Sequence, residues 1–270
     1  MEQDVVIYPR RGKKDPAVGP VGVMVVMSKD MALIKRSMGI RTKASFGILT
    51  SRLYSGTYRD QEIAIVGPML GAPHAVMLLE KLTVLGVQKI LFFGWCGSIQ
   101  QGLAIGDIVV ADSAVSDEGT SAHYPVSDPY PGPSVALLNV IEQSLKECSI
   151  PFRRGTIWST DAPYRETKEK ILFFQRRGVL GVDMELSALF TVASFRQVEI
   201  GALLVVSDEL GSLRWKPGFS TSKFNRSRSV AANVVPAICR KLLAGQGEEA
   251  SYALLKRSFT SQPFTPRNTE

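Results

Sequence analysis

Gly181-Val182-Asp183-Met184-Glu185 and Leu203-Leu204-Val205-Val206-Ser207-Asp208 each carry an apolar run straight into acidic residues. A carboxylate at the carboxyl end of a buried strand is where α/β sheets place their ligand chemistry. Glu185 and Asp208 lie 23 positions apart, with a helix-like stretch between them. That spacing suggests one site built from neighbouring strand ends. Taken alone, Asp208 reads equally well as a helix N-cap, because Asp at a strand-to-helix junction often only caps.

Outward from these segments the chain keeps alternating strand and helix signals. Val21 to Met27 is a near-continuous apolar run, as in a strand buried on both faces, and Ser28 to Met38 follows with Met31, Ile34 and Met38 at helical spacing. Arg52–Tyr58 and Glu62–Val66 flank the turn Tyr58-Arg59-Asp60-Gln61 and predict a hairpin. Gly71-Ala72-Pro73 opens a helix that Gly86 ends. Strands are expected at Lys89–Phe93, stopped by Gly94-Trp95-Cys96-Gly97, and from Gly106 to Val110, Gly155 to Trp158, Val179 to Val182 and Gly201 to Val206. Helices are expected at Val135–Cys148, Glu166–Arg177, Met184–Gln197 and Ser229–Ala244, with a four-proline loop from Pro125 to Pro133. The pattern predicts one α/β domain over 21–244, a mixed sheet with helices on both sides. An extended arm (1–20) precedes it and a polar, partly ordered tail (245–270) follows.

Composition excludes several classes. The 45% apolar and 21% charged shares are those of an ordinary globular protein, and 270 residues suffice for one large core. No apolar run is long enough to span a bilayer, and Met1 to Pro20 lacks the apolar core of a signal peptide, so a cytoplasmic protein with no membrane partner is expected. Three cysteines without ligand spacing and two histidines argue against a disulfide framework or a zinc site. The net charge of +7 comes from scattered residues with small clusters at Arg10–Lys14 and Arg226-Ser227-Arg228, without a nucleic-acid-binding motif. A solvated surface with some attraction for anionic ligands is the simpler reading, and no nucleic-acid partner is expected.

Four motifs in order, Gly71-Ala72-Pro73, Gly94-Trp95-Cys96-Gly97-Ser98, Gly106-Asp107-Ile108-Val109, and Val182-Asp183-Met184-Glu185 followed by Val206-Ser207-Asp208, resemble the nucleoside phosphorylase family. That family holds purine nucleoside phosphorylases, uridine phosphorylases and nucleosidases, and the likeness runs from about Val21 to about Ala244. Glu118 to Tyr124 also resembles a loop of the uridine phosphorylases. The resemblance implies a mixed sheet partly closed into a barrel and surrounded by helices. It further implies cleavage of an N-glycosidic bond without a resident cofactor, with inorganic phosphate needed only for phosphorolysis, and a homo-oligomer. By resemblance Glu185 receives the ribose hydroxyls, Met184 packs on the sugar and Asp208 protonates a purine leaving group. The neighbouring Asp183, Ser207 and Gly94 complete the substrate lining. Such an arrangement suits a reaction in which positive charge grows on the sugar and negative charge on the base.

The chain departs from the family where phosphate is held. Val26 stands at the loop glycine, Asp30 at the loop arginine, Phe92 at the arginine before Gly94 and Trp95 at the hydroxyl residue after it. A dianion needs several donors or cations, and these residues supply few. The resemblance to the methylthioadenosine/S-adenosylhomocysteine nucleosidases places Asp30 where a glutamate activates water; read by itself, Asp30 is equally a solvent-facing acid in a first helical turn. Thr167 and Glu169 replace the uracil-binding Gln and Arg, which with Asp208 favours a purine. Pro163 replaces the stacking Phe, leaving Tyr164 or Trp158 to supply an aromatic face. His123 reads as a loop residue reaching the pocket or as a surface histidine, and His74 as structural. Trp215 with Pro217-Gly218-Phe219 reads as a lid over the base or as an oligomer contact. The combined reading is a purine-type nucleoside cleaver leaning to hydrolysis. True phosphorolysis and a non-catalytic nucleoside-binding protein are the alternatives.

Overall fold

Alternate residues of the central strands part cleanly to two sides. In β1 (Val21–Val25), Val23 and Val25 join one apolar cluster and Met24 the other; in β5 (Lys89–Ser98), Leu91 and Phe93 part from Ile90 and Phe92 in the same way. Both sets are fully buried, which is why these strands read as unbroken apolar runs. A computed structural model describes residues 5–260, with backbone alone at 41–44 and 245–260. Helices α2 (Ala72–Leu85) and α5 (Leu186–Arg196) cover one side, and α1 (Ser28–Met38), α3 (Val135–Glu147) and α6 (Ser222–Thr260) the other.

The remaining elements are β2 (Arg41–Ile48), β3 (Ser51–Tyr58), β4 (Gln61–Gly67), β6 (Ile108–Asp117), β7 (Arg153–Thr160), the short helix α4 (Lys168–Gln175), β8 (Gly181–Asp183), β9 (Glu199–Glu209) and β10 (Lys216–Pro217). The strand order is β10-β9-β6-β7-β8-β5-β1-β4-β3-β2, and β9 also pairs with β5. That extra pairing closes β5, β9, β6, β7 and β8 into a five-stranded mixed barrel, while β1 to β4 extend from it as an open flap. The expected mixed α/β fold with a partly closed barrel is the fold observed.

Several boundaries differ from the sequence reading. β5 does not stop at Phe93: its ladder with β9 runs from Lys89↔Glu199 through Gly94↔Leu204 to Ser98↔Glu209. The glycines that looked like a stop are accommodated inside the strand, with a register shift between Cys96 and Gly97. The strand β2 went unrecognised because RTKASFGI shows no regular alternation; at the sheet's edge it pairs with β3, and Phe46 and Ile48 pack partly against the core. The final helix starts at Ser222, seven residues before the expected Ser229, and its backbone continues to Thr260, past the start of the expected tail. Residues 261–270 lie outside the described residues.

Candidate active site

The β5–β9 ladder brings the two acidic segments to one place. Gly97 pairs with Val182 of β8 on one side and with Asp208 of β9 on the other. A Cβ on Gly97 would stand 2.7 Å from Leu210 Cδ1, 3.1 Å from Asp208 Oδ2 and 3.3 Å from Val182 Cγ1. A side chain here would collide with the groups around the Asp208 carboxylate, so the glycine leaves that space open.

Asp208 is half-buried near the end of β9 and caps no helix, because the chain turns back as β10 and pairs with it. Its Oδ1 accepts from the buried Ser207 hydroxyl at 2.6 Å, and its Oδ2 accepts from the Trp215 indole N–H at 2.9 Å. Trp215 and Phe219 approach at 6.3 Å between ring centroids, and Phe219 lies 6.1 Å from Trp95. The segment after Asp208 therefore lays aromatic rings across the strand ends. Glu166, on the loop before α4, is the second acid here: burial, then the charge of Asp208, raises its carboxyl to about 7.

Glu185 is buried, and its Oε1 accepts from the Gly71 N–H at 2.7 Å. Gly71 adopts φ 79 just before α2, a left-handed conformation that glycine takes without strain, and so presents its N–H to the carboxylate. Burial, and next the neighbouring Asp183, push the Glu185 carboxyl upward. Asp183 also lies above the usual range because of burial, against the pull of its hydrogen bonds. Its oxygens accept from the Ser159 hydroxyl and from the backbone N–H groups of Glu185 and Leu186. Asp183 thus anchors the start of α5 and fixes the turn that projects Glu185. Met184, between them, is half-buried.

Asp30 differs most from its sequence reading. It is not solvent-facing: it is 1% exposed on the inner face of α1. Its Oδ1 accepts from Arg228 Nε at 2.8 Å and Nη2 at 2.6 Å, and its Oδ2 accepts from the Trp95 indole N–H at 2.7 Å. Arg228 comes from α6, is 5% exposed, and also donates from Nη1 to Asn225 at 2.9 Å. Burial raises the Asp30 carboxyl, opposed by Arg228 and Trp95. A carboxylate tied on both oxygens is poorly placed to take a proton from water. Phe92 is 1% exposed and belongs to the apolar core beside α2 and α5.

Other expected residues fall elsewhere. Tyr164 is fully exposed on the turn Pro163–Arg165, and Trp158 is fully buried, stacked on Phe174 at 4.5 Å with its N–H given to Asp117. The Trp158 face is thus already taken by Phe174. Gly94 lies within β5 among core residues. His123 ends the short turn Ser121–His123 and lines a cavity of about 670 Å³ with Val76, Tyr124, Phe195 and Arg196, whose lining includes none of Glu185, Met184 and Asp208. His74 is structural, its Nε2 lying 2.9 Å from the Ser51 hydroxyl. Among the described residues no group of three or more His, Cys, Asp or Glu could hold a metal ion, and no helix is long and apolar enough to cross a membrane.

Sequence reading missed Arg228, Glu166 and Glu118. Arg228 was taken for part of a surface basic cluster, yet Phe224, Arg228 and Ala232 recur every fourth residue along the buried stripe of α6. That period was the available signal. Glu118 is buried and gathers the hydroxyls of Ser116, Ser121 and Ser187 with the Thr120 N–H, tying the 118–124 loop to α5. Glu166 carries no sequence signal of its role, because only the fold brings it beside Asp208.

The fold recurs in known proteins. The family profile described as the phosphorylase superfamily matches residues 20–244. The DeoD-type purine nucleoside phosphorylase of Clostridium novyi is 31% identical over 159 residues, 58% of this chain and 68% of its own length. The crystal structure of uridine phosphorylase from Vibrio fischeri superposes with a TM-score of 0.73 at 26% identity, covering 83% of this chain and 93% of that one. A futalosine hydrolase mutant of Helicobacter pylori shares the fold, with a TM-score of 0.71 at 22% identity over 83% of this chain and all of that one. Nucleoside phosphorylases and hydrolases are thus built on this same barrel, and the chain belongs to the phosphorylase superfamily.

Proposed function

We propose that this protein cleaves the N-glycosidic bond of a purine-type nucleoside, with water as the acceptor of the ribosyl group. The purine half of the reading is supported by Asp208, placed at the end of β9 with one oxygen held by Ser207 and the other by Trp215. Glu166, which holds a proton up to about pH 7 beside the charged Asp208, is the source of the proton, and Asp208 passes it to the departing base. Glu185 receives the ribose hydroxyls. Hydrogen bonds from those hydroxyls to the charged form draw its proton off when nucleoside binds, and the carboxylate then faces the positive charge that grows on the sugar as the bond breaks.

The single observation that carries the choice of water is the Asp30–Arg228–Trp95 cluster. The guanidinium is neutralised by an internal carboxylate and the indole N–H is already given to it. An incoming phosphate dianion meets a filled site lined by a carboxylate. The group that activates water is not Asp30 in this arrangement. Phosphorolysis has one observation in its favour: a cavity of about 280 Å³ at the start of α1 is lined by Ser28, Lys35 and Arg52 and offers cations elsewhere.

One experiment separates the two. A panel of purine and pyrimidine nucleosides is incubated with and without inorganic phosphate, and free ribose is scored against ribose 1-phosphate. The expected result is free ribose, from purine nucleosides, at a rate indifferent to phosphate. Phosphate-dependent turnover to ribose 1-phosphate overturns the hydrolytic reading, and no cleavage of any member favours a nucleoside-binding protein.

A further inference from the structure

The buried cluster around Asp30 has the geometry of an oxyanion receptor whose anion is part of the chain. Three N–H groups, Arg228 Nε, Arg228 Nη2 and Trp95 Nε1, converge on one carboxylate at 2.6–2.8 Å. They come from α6 and β5, while the carboxylate comes from α1, so donors and acid are supplied by different elements. Arg228 is held independently: Nη1 donates to Asn225, and its guanidinium carbon lies 5.1 Å from the Trp95 ring and 5.5 Å from the Phe224 ring. Trp95 is fixed edge-on to Phe224 at 4.9 Å. The receptor is therefore built by aromatic packing and by α6, not by the acid it encloses. Asp30 and Arg228 are 1% and 5% exposed, whereas Trp95 is only half-buried and sits one strand from Asp208.

We infer that Arg228 and Trp95 form a latent binding site for a small tetrahedral oxyanion, kept shut by the Asp30 side chain, which makes Asp30 the residue that decides whether inorganic phosphate can enter. This inference rests on the proposed nucleoside-cleaving site only for its biological meaning; the receptor itself stands on the three hydrogen bonds. Removing the carboxylate leaves the Arg228 charge buried without a counter-ion, so the variant gains a reason to bind an external anion. Geometry favours an oxyanion over chloride, since a fork of guanidinium donors with an indole N–H matches several oxygens rather than one centre.

The test is anion rescue of Asp30→Ala. Thermal unfolding and tryptophan fluorescence are followed during titration with orthophosphate and sulfate, with chloride at matched ionic strength as the control. Asp30→Ala is expected to unfold earlier than the wild type and to recover with phosphate or sulfate but not chloride, the midpoint following ligand concentration as mass action requires. Its oxyanion affinity should exceed that of the wild type at least tenfold, and adding Arg228→Met should abolish the gain. Should Asp30→Ala fail to fold, Asp30→Ser removes the carboxylate, opens the same space, and should show the same preference for phosphate over chloride. The inference is overturned if neither variant binds oxyanion more tightly than the wild type, or if the gain survives loss of Arg228. Because the readout is binding, it stands apart from the nucleoside assay: failure to cleave any nucleoside would sink the proposed function and leave this result untouched.

Discussion

The Trp215 indole N–H donates to Asp208 Oδ2 at 2.9 Å, while Ser207 holds Oδ1 at 2.6 Å. The acid proposed to act on the leaving base is thus oriented from both sides, by its own strand and by the segment that folds back over it. Trp215 is nonetheless 63% exposed, so that segment can part from the carboxylate without unpacking the core.

Asp208→Asn should slow release of an unactivated purine by roughly a hundred- to ten-thousandfold, the range expected for lost general-acid catalysis. A riboside with a p-nitrophenolate leaving group needs no protonation and should lose far less. Trp215→Phe, which keeps the ring and removes the donor, should cost only about two- to tenfold in kcat. Steady-state kinetics on both substrates reads the contrast; equal losses on the two would exclude proton donation as the role of Asp208.

Glu185→Gln keeps an oxygen for the Gly71 N–H and removes the charge beneath the sugar. It should lower kcat/KM by about ten- to a hundredfold, as for a lost hydrogen bond to a charged group. Because burial and Asp183 raise the Glu185 carboxyl, nucleoside binding by the wild type should expel a proton near neutral pH. Calorimetry in buffers of different ionisation enthalpy measures that release, which Glu185→Gln should eliminate.

Glu166 has a folded-state value of about 7 against the ordinary 4.5, with burial the larger cause and Asp208 the second. A carboxyl raised on folding favours the folded protein fully below the ordinary value and withdraws that support as pH climbs through about 7. Stability should therefore fall between pH 5 and 8, and Glu166→Gln should flatten this part of the profile. Urea unfolding at pH 5, 6, 7 and 8 on both proteins checks the sign; an identical slope in the two removes Glu166 as its source.

Phe92→Arg tests whether the family's cation could simply be put back. Phe92 is 1% exposed among Met24, Leu204 and the α2 side chains, so a guanidinium there has no water and no counter-ion. A loss on the order of 3–5 kcal/mol is expected in denaturant unfolding, with no gain of phosphate dependence. A stable, phosphate-dependent variant would show that this strand face opens to the site.

The strand-end acids and the layered fold were legible in the sequence because both depend on local pattern. Apolar runs of strand length, Gly86 after α2 and the Asp183-Met184-Glu185 turn each carry their own signature. Asp30 was legible as an anomaly but not in its outcome, since its partner Arg228 lies 198 residues away. The same holds for Trp158, whose apparent availability as a stacking face vanished once α4 placed Phe174 against it. The edge strands β2 and β10 failed outright: an edge strand leans on its neighbour's backbone, and backbone pairing leaves little trace in side-chain order.

Trp95 and Asp208 ride on two adjacent parallel strands whose pairing persists for ten residues of β5. Such a pair works as two rails at fixed gauge: away from Gly97, where any side chain would meet the groups around Asp208, residues can be exchanged on either without moving the other. In the proposed reaction the rail bearing Asp208 sets what leaves the sugar, and the rail bearing Trp95, with α1 beside it, sets what arrives. A lineage can therefore trade one acceptor for another by a few substitutions on β5 and α1 while its choice of base stays untouched. The reciprocal change, a new base with the old acceptor, is open by the same route.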